Sequence, residues 1–362
     1  MKTDEQIAKK KRFAGEKKTS MKRRDDHHDY AARRMYLITL EVEDRRPVFG
    51  RVEGDPFAPD GSGREPRIEL SELGKAVQNE WMGIHGYFPQ IEVMGIQMMP
   101  DHMHGILFVK APLPVHLGQV ISGFKAGCRK AEKALMAADL ATAKPLPAEK
   151  SAPGLPHSPQ AAPPRSQQAT ALPYAKIPYR PLFAKGYNDL ILRSYDELST
   201  WLNYLHDNPR RLMMKRANPD MLRPFFNFRI GTQTYNGIGN RQLLSAPRRI
   251  AVRLSHRLTE TDIEREISFH LEAAKQGAVL VSPAISPAEK RVMRAVFNAG
   301  LPTIVLMENG FTPLSKPHGE QFYACANGRL LMLSPWEHHN EKRKLTAALC
   351  QQLNLMALEI CK

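Results

Sequence analysis

Cysteine is scarce in this chain: Cys128, Cys325, Cys350 and Cys361 are scattered through 362 residues without a C-x-x-C pair. That spacing excludes a disulfide frame and a thiolate zinc site, and it suits the reduced thiols of a cytoplasmic protein. Long apolar runs are missing too. None approaches the roughly 18 residues of a spanning helix, so no membrane segment is expected, and the polar start is no secretory signal. Neither G-x-G-x-x-G nor a P-loop occurs, so a tightly held dinucleotide or triphosphate is not indicated. Acidic residues are outnumbered, 37 Asp and Glu against 52 Lys and Arg, which leaves a formal charge of +15. An excess of that size points to a polyanionic partner, nucleic acid ahead of an anionic membrane surface. The expected location is the cytoplasm, in association with the nucleoid.

The length allows two domains, each with its own core. Residues 1–33 carry basic runs such as Lys9-Lys10-Lys11-Arg12 and Lys22-Arg23-Arg24; a disordered tail is expected, either a phosphate-binding arm or a solvated end. A front domain is expected over 34–231. It opens with a β-branched and aromatic strand from Met35 to Val42, followed by a loop to about Arg67 and a helix from Ser71 to Trp81. A basic helix runs from Leu117 to about Met136, and residues 137–178, rich in proline and alanine, form an unstructured insertion. A short strand spans Tyr187 to Arg193. The helix after Ser194 carries the apolar stripe Leu198, Trp201, Leu202 and Leu205 and ends at Asn208-Pro209, because the residue before proline avoids the helical region. Pro224 to Ile230 is an extended arm, and a Gly/Asn/Thr-rich connector over 231–240 marks the boundary. Strands and helices alternate over 240–362, which implies a parallel, doubly wound sheet. Ser255, Ser282 and Glu308-Asn309-Gly310 fall at its strand ends, where such sheets place ligands.

The stretch that carries chemistry is Ile91 to Val109, two strand-like runs around a Pro-Asp corner, with His102-Met103-His104 opening the second. Residues i and i+2 of a strand share a face, so His102 and His104 present two imidazoles together while Met103 enters the core. Imidazole is the commonest metal ligand among side chains; the plainer alternative is two polar residues on the wet face of an edge strand. A cation on the pair leaves positions for a phosphate oxygen and one protein oxygen, which Asn208 can supply if its helix packs beside the strand. Such a mixed nitrogen and oxygen site suits Mg²⁺ or Mn²⁺, and the ion would polarise a phosphodiester. A tyrosine attacking phosphorus gives a covalent phosphotyrosine that conserves bond energy for a joining step. Tyr204, one helical turn before Asn208, is the best-placed candidate. Tyr187 and Tyr195 remain alternatives, and spacing alone describes Tyr204 as a core-edge aromatic sooner than as a nucleophile.

Met99-Pro100-Asp101-His102-Met103-His104-Gly105, together with Trp201-Leu202-Asn203-Tyr204-Leu205-His206-Asp207-Asn208-Pro209, resembles the REP-associated tyrosine transposases, single-tyrosine enzymes of the HUH type. Leu73-Gly74, Ser122-Gly123-Phe124-Lys125 and Gly186-Tyr187-Asn188-Asp189 follow that family in order and spacing. The similarity covers about residues 34–230 outside the insertion. It implies a ferredoxin-like βαββαβ core, a homodimer, a divalent metal (Mg²⁺ or Mn²⁺) on His102 and His104 with Asn208 as third ligand, and Tyr204 as nucleophile. The implied reaction nicks single-stranded DNA at palindromic hairpin repeats through a 5′-phosphotyrosine link and releases a 3′-hydroxyl. Lys125, Arg129 and Lys130 on the basic helix, with Arg210, Arg211, Lys215 and Arg216 after the tyrosine, are the expected DNA-binding residues. Asp101 stands where the family often carries Asn. The residues around Gly277-Ala278-Val279-Leu280-Val281-Ser282-Pro283 are weakly similar to the Rossmann-like fold of DNA-processing protein A, and no activity follows from that. The fold class expected is therefore α/β, with an α+β ferredoxin-like front domain and a Rossmann-like parallel-sheet domain. Two other functions compete: a catalytically silent regulator that binds repeat DNA, and a small-molecule-binding C-terminal domain with an accessory DNA-binding front.

Overall fold

Strand β1 (Arg34–Glu41) is buried on both faces, so its alternating residues serve two different cores. It is the inner strand of an antiparallel sheet with β4 (Ile91–Met99), β5 (His102–Val109) and β6 (Asn188–Leu192), in the order β4-β5-β1-β6. The structure, a computed structural model, describes residues 27–142, 180–341 and 344–362. It divides into two compact units, the first ending at Arg210 and the second spanning Arg211–Lys362.

In the first unit, Tyr36, Ile38 and Leu40 of β1 face one way and join Met103 and Leu107 of β5 in the main core. Helix α1 (Glu72–Met82) contributes Val77 and Trp81 to it, and α3 (Leu117–Thr142) contributes Val120, Ile121 and Phe124. Ser71 caps α1 by accepting from the Gly74 amide at 3.0 Å, which satisfies one of the orphan donors of the first turn. A one-turn helix, α2 (Ile84–Tyr87), follows. Met35 and Leu37 face the other way and meet Ile106 of β5 and Leu192 of β6. That second face is covered by α4 (Tyr195–Ala217), through Leu198, Trp201, Leu202 and Leu205.

Several expectations are corrected here. The loop to Arg67 contains a small antiparallel pair, β2 (Gly50–Glu53) with β3 (Arg67–Leu70). Helix α3 continues past Met136 to Thr142, because Ala137-Ala138-Asp139-Leu140-Ala141 holds no helix breaker and alanine and leucine favour the helix. Helix α4 does not stop at Asn208 but runs through Pro209 to Ala217. Interior proline costs roughly 3 kcal/mol; here Leu205, Asn208 and Pro209 are buried, and Arg210 ties the turn to the Pro56 and Ala58 carbonyls at 2.8 and 2.7 Å. The tail expected over 1–33 is packed at its end: Tyr30 is buried, stacks on Tyr36 and donates to the Asp189 carboxylate at 2.8 Å. Residues 1–26 of that tail, and 143–178 of the expected insertion, lie outside the described residues.

The second unit holds a six-stranded mixed sheet, ordered β7-β8-β12-β11-β10-β9. Strands β9 (Arg249–Ala251), β10 (Val279–Ser282), β11 (Thr303–Leu306) and β12 (Leu330–Ser334) are parallel and adjacent in chain order. Helices α5 (Glu260–Lys275) and α6 (Pro287–Asn298) pack on one face around Leu280 and Val292. On that face α7 (Gly319–Ala326) packs against Leu330 and Met332. Helix α8 (Ala347–Ile360) covers the other face through Leu353 and Ala357. The "arm" and "connector" are strands: β7 (Phe225–Ile230) pairs antiparallel with β8 (Gln233–Gly239), and β8 pairs with β12. The sheet is thus not parallel throughout, and residues 211–240 belong to this unit. Gly237 reads as a loop residue in sequence, but a Cβ there would sit 2.5 Å from the Met332 carbonyl and 2.6 Å from the Phe225 ring. Glycine in this strand permits close packing. The last helix begins at Ala347, where Thr346 accepts from the Leu349 amide.

Candidate active site

The site lies in the first unit, on the sheet face that α4 covers. Because Ile106 belongs to that face, the period of two places His104 and His102 on it as well. Their rings stand edge to face with centroids 4.9 Å apart. Met103, between them, is fully buried in the opposite core. Gly105 completes the motif on Met103's side, and there a Cβ would meet the Trp81 indole at 2.2 Å.

Each imidazole is held through Nδ1. The Nδ1 of His102 is 2.7 Å from the Asp101 carboxylate, whose other oxygen is 3.5 Å from the Arg45 guanidinium. A carboxylate only accepts, so His102 donates from Nδ1 and leaves Nε2 with a free lone pair. The Nδ1 of His104 lies 2.8 Å from the Thr39 hydroxyl, opposite it in the β1–β5 register. Burial, then the neighbouring His102 and Arg45 charges, lower the His104 pKa to about 4. Its ring is therefore neutral near pH 7, the form that binds a metal. Partners at Nδ1 that orient an imidazole are the usual outer shell of a metal-binding histidine.

Tyr204 comes to this pair from α4, in the same protomer. Its ring is 6.4 Å from that of His104, edge to face, and 5.2 Å from that of Trp201. The tyrosine is 40% exposed. Asn208, one turn on, is 8% exposed, and its amide nitrogen is buried without a hydrogen-bond partner.

Among the described residues no three His, Cys, Asp or Glu side chains could together hold a metal ion. A cation here would have two nitrogen donors and fill its remaining positions with oxygen. The Asn208 carboxamide suits that role: its orphaned end has no protein partner, and an amide presents either oxygen or nitrogen by rotation. The residues present therefore fit a hard divalent ion with a mixed donor set.

The expected DNA-binding residues separate into groups. Lys125 turns inward and donates to the Ala184 and Gly186 carbonyls at 2.8 and 2.5 Å, and burial lowers its pKa. Arg210 is committed as well, to the Pro56 and Ala58 carbonyls and to Asp60 at 2.6 Å. Arg129 and Lys130 are exposed on α3. Arg216 is exposed, and Arg211 and Lys215 belong to the second unit. Of the two alternative tyrosines, Tyr187 is buried in the main core, while Tyr195 is exposed at the start of α4. Thr39 carried no sequence signal, since only strand register brings it to His104. Asp101 adjoins His102 in the chain and was legible as a neighbour.

In the second unit the expected strand-end residues are largely structural. Ser282 donates to the Val252 carbonyl and accepts from Ala284, and Ser255 accepts from the Arg257 amide. Glu308 lies 3.2 Å from His339. A cavity of about 540 Å³ lies between α6 and α7 and is lined by none of the expected site residues.

No family model matches the chain. A curated relative from Haemophilus influenzae (strain ATCC 51907 / DSM 11121 / KW20 / Rd), described as an uncharacterized protein, is 26% identical over 121 residues. That match spans 28% of this chain and 61% of the relative's length. Among solved structures, DNA processing protein A from Helicobacter pylori, studied for its single-stranded DNA binding mode, is 19% identical with a TM-score of 0.30. It covers 39% of this chain and 67% of its own. A REP-associated tyrosine transposase bound to a REP hairpin is 10% identical with a TM-score of 0.28, covering 51% and 70%. At such scores the overlap does not define a shared fold. Among the described residues no helix is long and apolar enough to cross a membrane.

Proposed function

We propose that the first unit nicks and rejoins single-stranded DNA at palindromic hairpin repeats, with Tyr204 as the nucleophile. The observation that carries this reading is the meeting of Tyr204 and His104, rings 6.4 Å apart, beside a second imidazole on the same sheet face. The charge of +15 suits a polyanionic substrate. The order β4-β5-β1-β6 with α1 and α3 on one face supports the ferredoxin-like βαββαβ core that the motif resemblance implies. The parallel strands of the second unit likewise support the Rossmann-like reading.

His102, His104 and Asn208 would hold Mg²⁺ or Mn²⁺, which when bound polarises the phosphodiester and offsets charge on its oxygens. Asp101 and Thr39 hold the two rings by their Nδ1 atoms, which leaves the Nε2 edges for the ion. The Tyr204 phenol passes its proton to solvent water, from which the leaving 3′-oxygen takes one back, and attacks phosphorus. A bond forms between its oxygen and phosphorus as the bond to the 3′-oxygen breaks. That oxygen leaves with a proton as a 3′-hydroxyl, and the 5′ end stays on the tyrosine. An incoming 3′-hydroxyl reverses the step and joins strands. Imidazoles and tyrosine come from one protomer, so a homodimer of this chain would carry two such sites.

The test is a denaturing gel of the full chain incubated with end-labelled hairpin single strands and Mg²⁺ or Mn²⁺. A covalent adduct is expected for the parent and none for Tyr204→Phe. Hairpin binding with no adduct in either metal would leave a silent DNA-binding protein instead.

A further inference from the structure

The second unit gathers four cations around one small cavity and gives them no acidic partner. Arg211 and Lys215, one turn apart on α4, both lie over the Phe322 ring, at 4.0 and 5.9 Å from its centroid. Arg223 and Lys316 complete the lining of a space of about 270 Å³ that no acidic residue borders. None of the four makes an ion pair among the described residues, in contrast to Arg210 and its Asp60. Partial desolvation and then the charges of Arg211 and Lys316 hold the Lys215 pKa below the ordinary lysine value.

Like charges held this close repel one another, and the repulsion grows as water is excluded. An anion placed among them removes that cost. The chemistry favours a phosphate: a guanidinium held over an aromatic ring still offers N–H groups to oxygen acceptors, while lysines act as mobile point charges. The volume is close to the lower end for small-ligand pockets, roughly 300 Å³, so it admits one phosphate and little more than its sugar. Phe322 is buried under the guanidinium and offers no open face for a base to stack on.

We propose that this pocket of the second unit holds one backbone phosphate of a single DNA strand, without sequence preference. The identity of the strand rests on the reading of the first unit; the demand for a phosphate does not. Phosphate contacts of this kind fix position and carry no base information.

The test uses the full chain carrying Tyr204→Phe, so that no covalent step intervenes, and labelled oligo(dT) titrated over a range of salt. Lys215→Ala/Lys316→Ala is compared with Lys275→Ala, which removes an exposed lysine of α5. The double variant is expected to bind severalfold more weakly and to flatten the dependence of log K on log salt by about 0.7, the share of one phosphate contact on a single strand. Pyrophosphate is expected to compete with oligo(dT) for the parent and less so for the double variant. Equal affinity and equal salt slope for the double variant and Lys275→Ala would overturn the proposal. Loss of pyrophosphate binding with oligo(dT) binding unchanged would overturn the strand and leave a free phosphate ligand. Neither result depends on whether Tyr204 forms an adduct, which the gel assay decides separately.

Discussion

The Thr39 hydroxyl and the His104 Nδ1 lie 2.8 Å apart across the β1–β5 pair. This contact and its counterpart between Asp101 and His102 set which nitrogen of each ring is free. Without them, two imidazoles on adjacent same-face positions would still be neighbours, but neither ring would be held at Nδ1. The arrangement depends on strand register, because a slip of one residue would turn both histidines to the opposite face.

Thr39→Val keeps the shape of the side chain and deletes its hydroxyl, leaving the half-buried His104 ring unanchored. Outer-shell losses of this kind lower metal affinity about 10- to 100-fold, and a fall in that range is expected in calorimetric titration with Mn²⁺. Thr39→Ser retains the hydroxyl and should bind like the parent. Asp101→Ala should weaken binding similarly, whereas Asp101→Asn retains an acceptor oxygen and should be nearly silent. Unchanged affinity in Thr39→Val and Asp101→Ala would separate these residues from metal binding.

The acid side of the stability profile should carry the signature of His104. Folding keeps its ring neutral down to about pH 4, while the unfolded chain protonates it near pH 6.5. Between those values the unfolded state binds the extra proton, so metal-free protein loses stability as pH falls from about 6.5 to about 4. Above about 6.5 both states are neutral at this ring and it contributes no slope. One proton corresponds to at most about 1.4 kcal/mol per pH unit. Denaturant melts in chelator should show a shallower decline for His104→Gln than for the parent; parallel declines would assign the acid loss to other groups.

Gly105→Ala is expected to be costly although the change is one methyl. The added carbon would sit 2.2 Å from the Trp81 ring, and Trp81 is fully buried between β5 and α3, edge to face with Phe124. Overpacking of a filled core costs roughly 1–3 kcal/mol, which should appear as a lower thermal midpoint. An unchanged midpoint would mean that the indole moves freely.

Much of this protein was legible in its residues. The His-Met-His alternation predicted two imidazoles on one face, the run from Ser71 to Trp81 predicted a helix, and the stripe Leu198, Trp201, Leu202 and Leu205 predicted which side of α4 is buried. These are local signals, set by the periods of strand and helix and by backbone donors within one turn.

Other features depended on partners distant in the chain. Pro209 reads as a helix end, yet burial of its neighbours and the reach of Arg210 to residues 56–60 carry the helix through it. Gly237 and Gly239 read as a linker, yet β12 accepts them because their lack of side chains allows close approach. Lys125 and Arg210 looked as available to DNA as Lys215, and only packing shows that backbone carbonyls occupy the first two. Composition and periodicity determined the elements and the chemistry they could carry. Tertiary structure decided which charges stay free, which ring nitrogens are held, and that Tyr204 lies beside His104, because those outcomes depend on contacts between residues far apart in sequence.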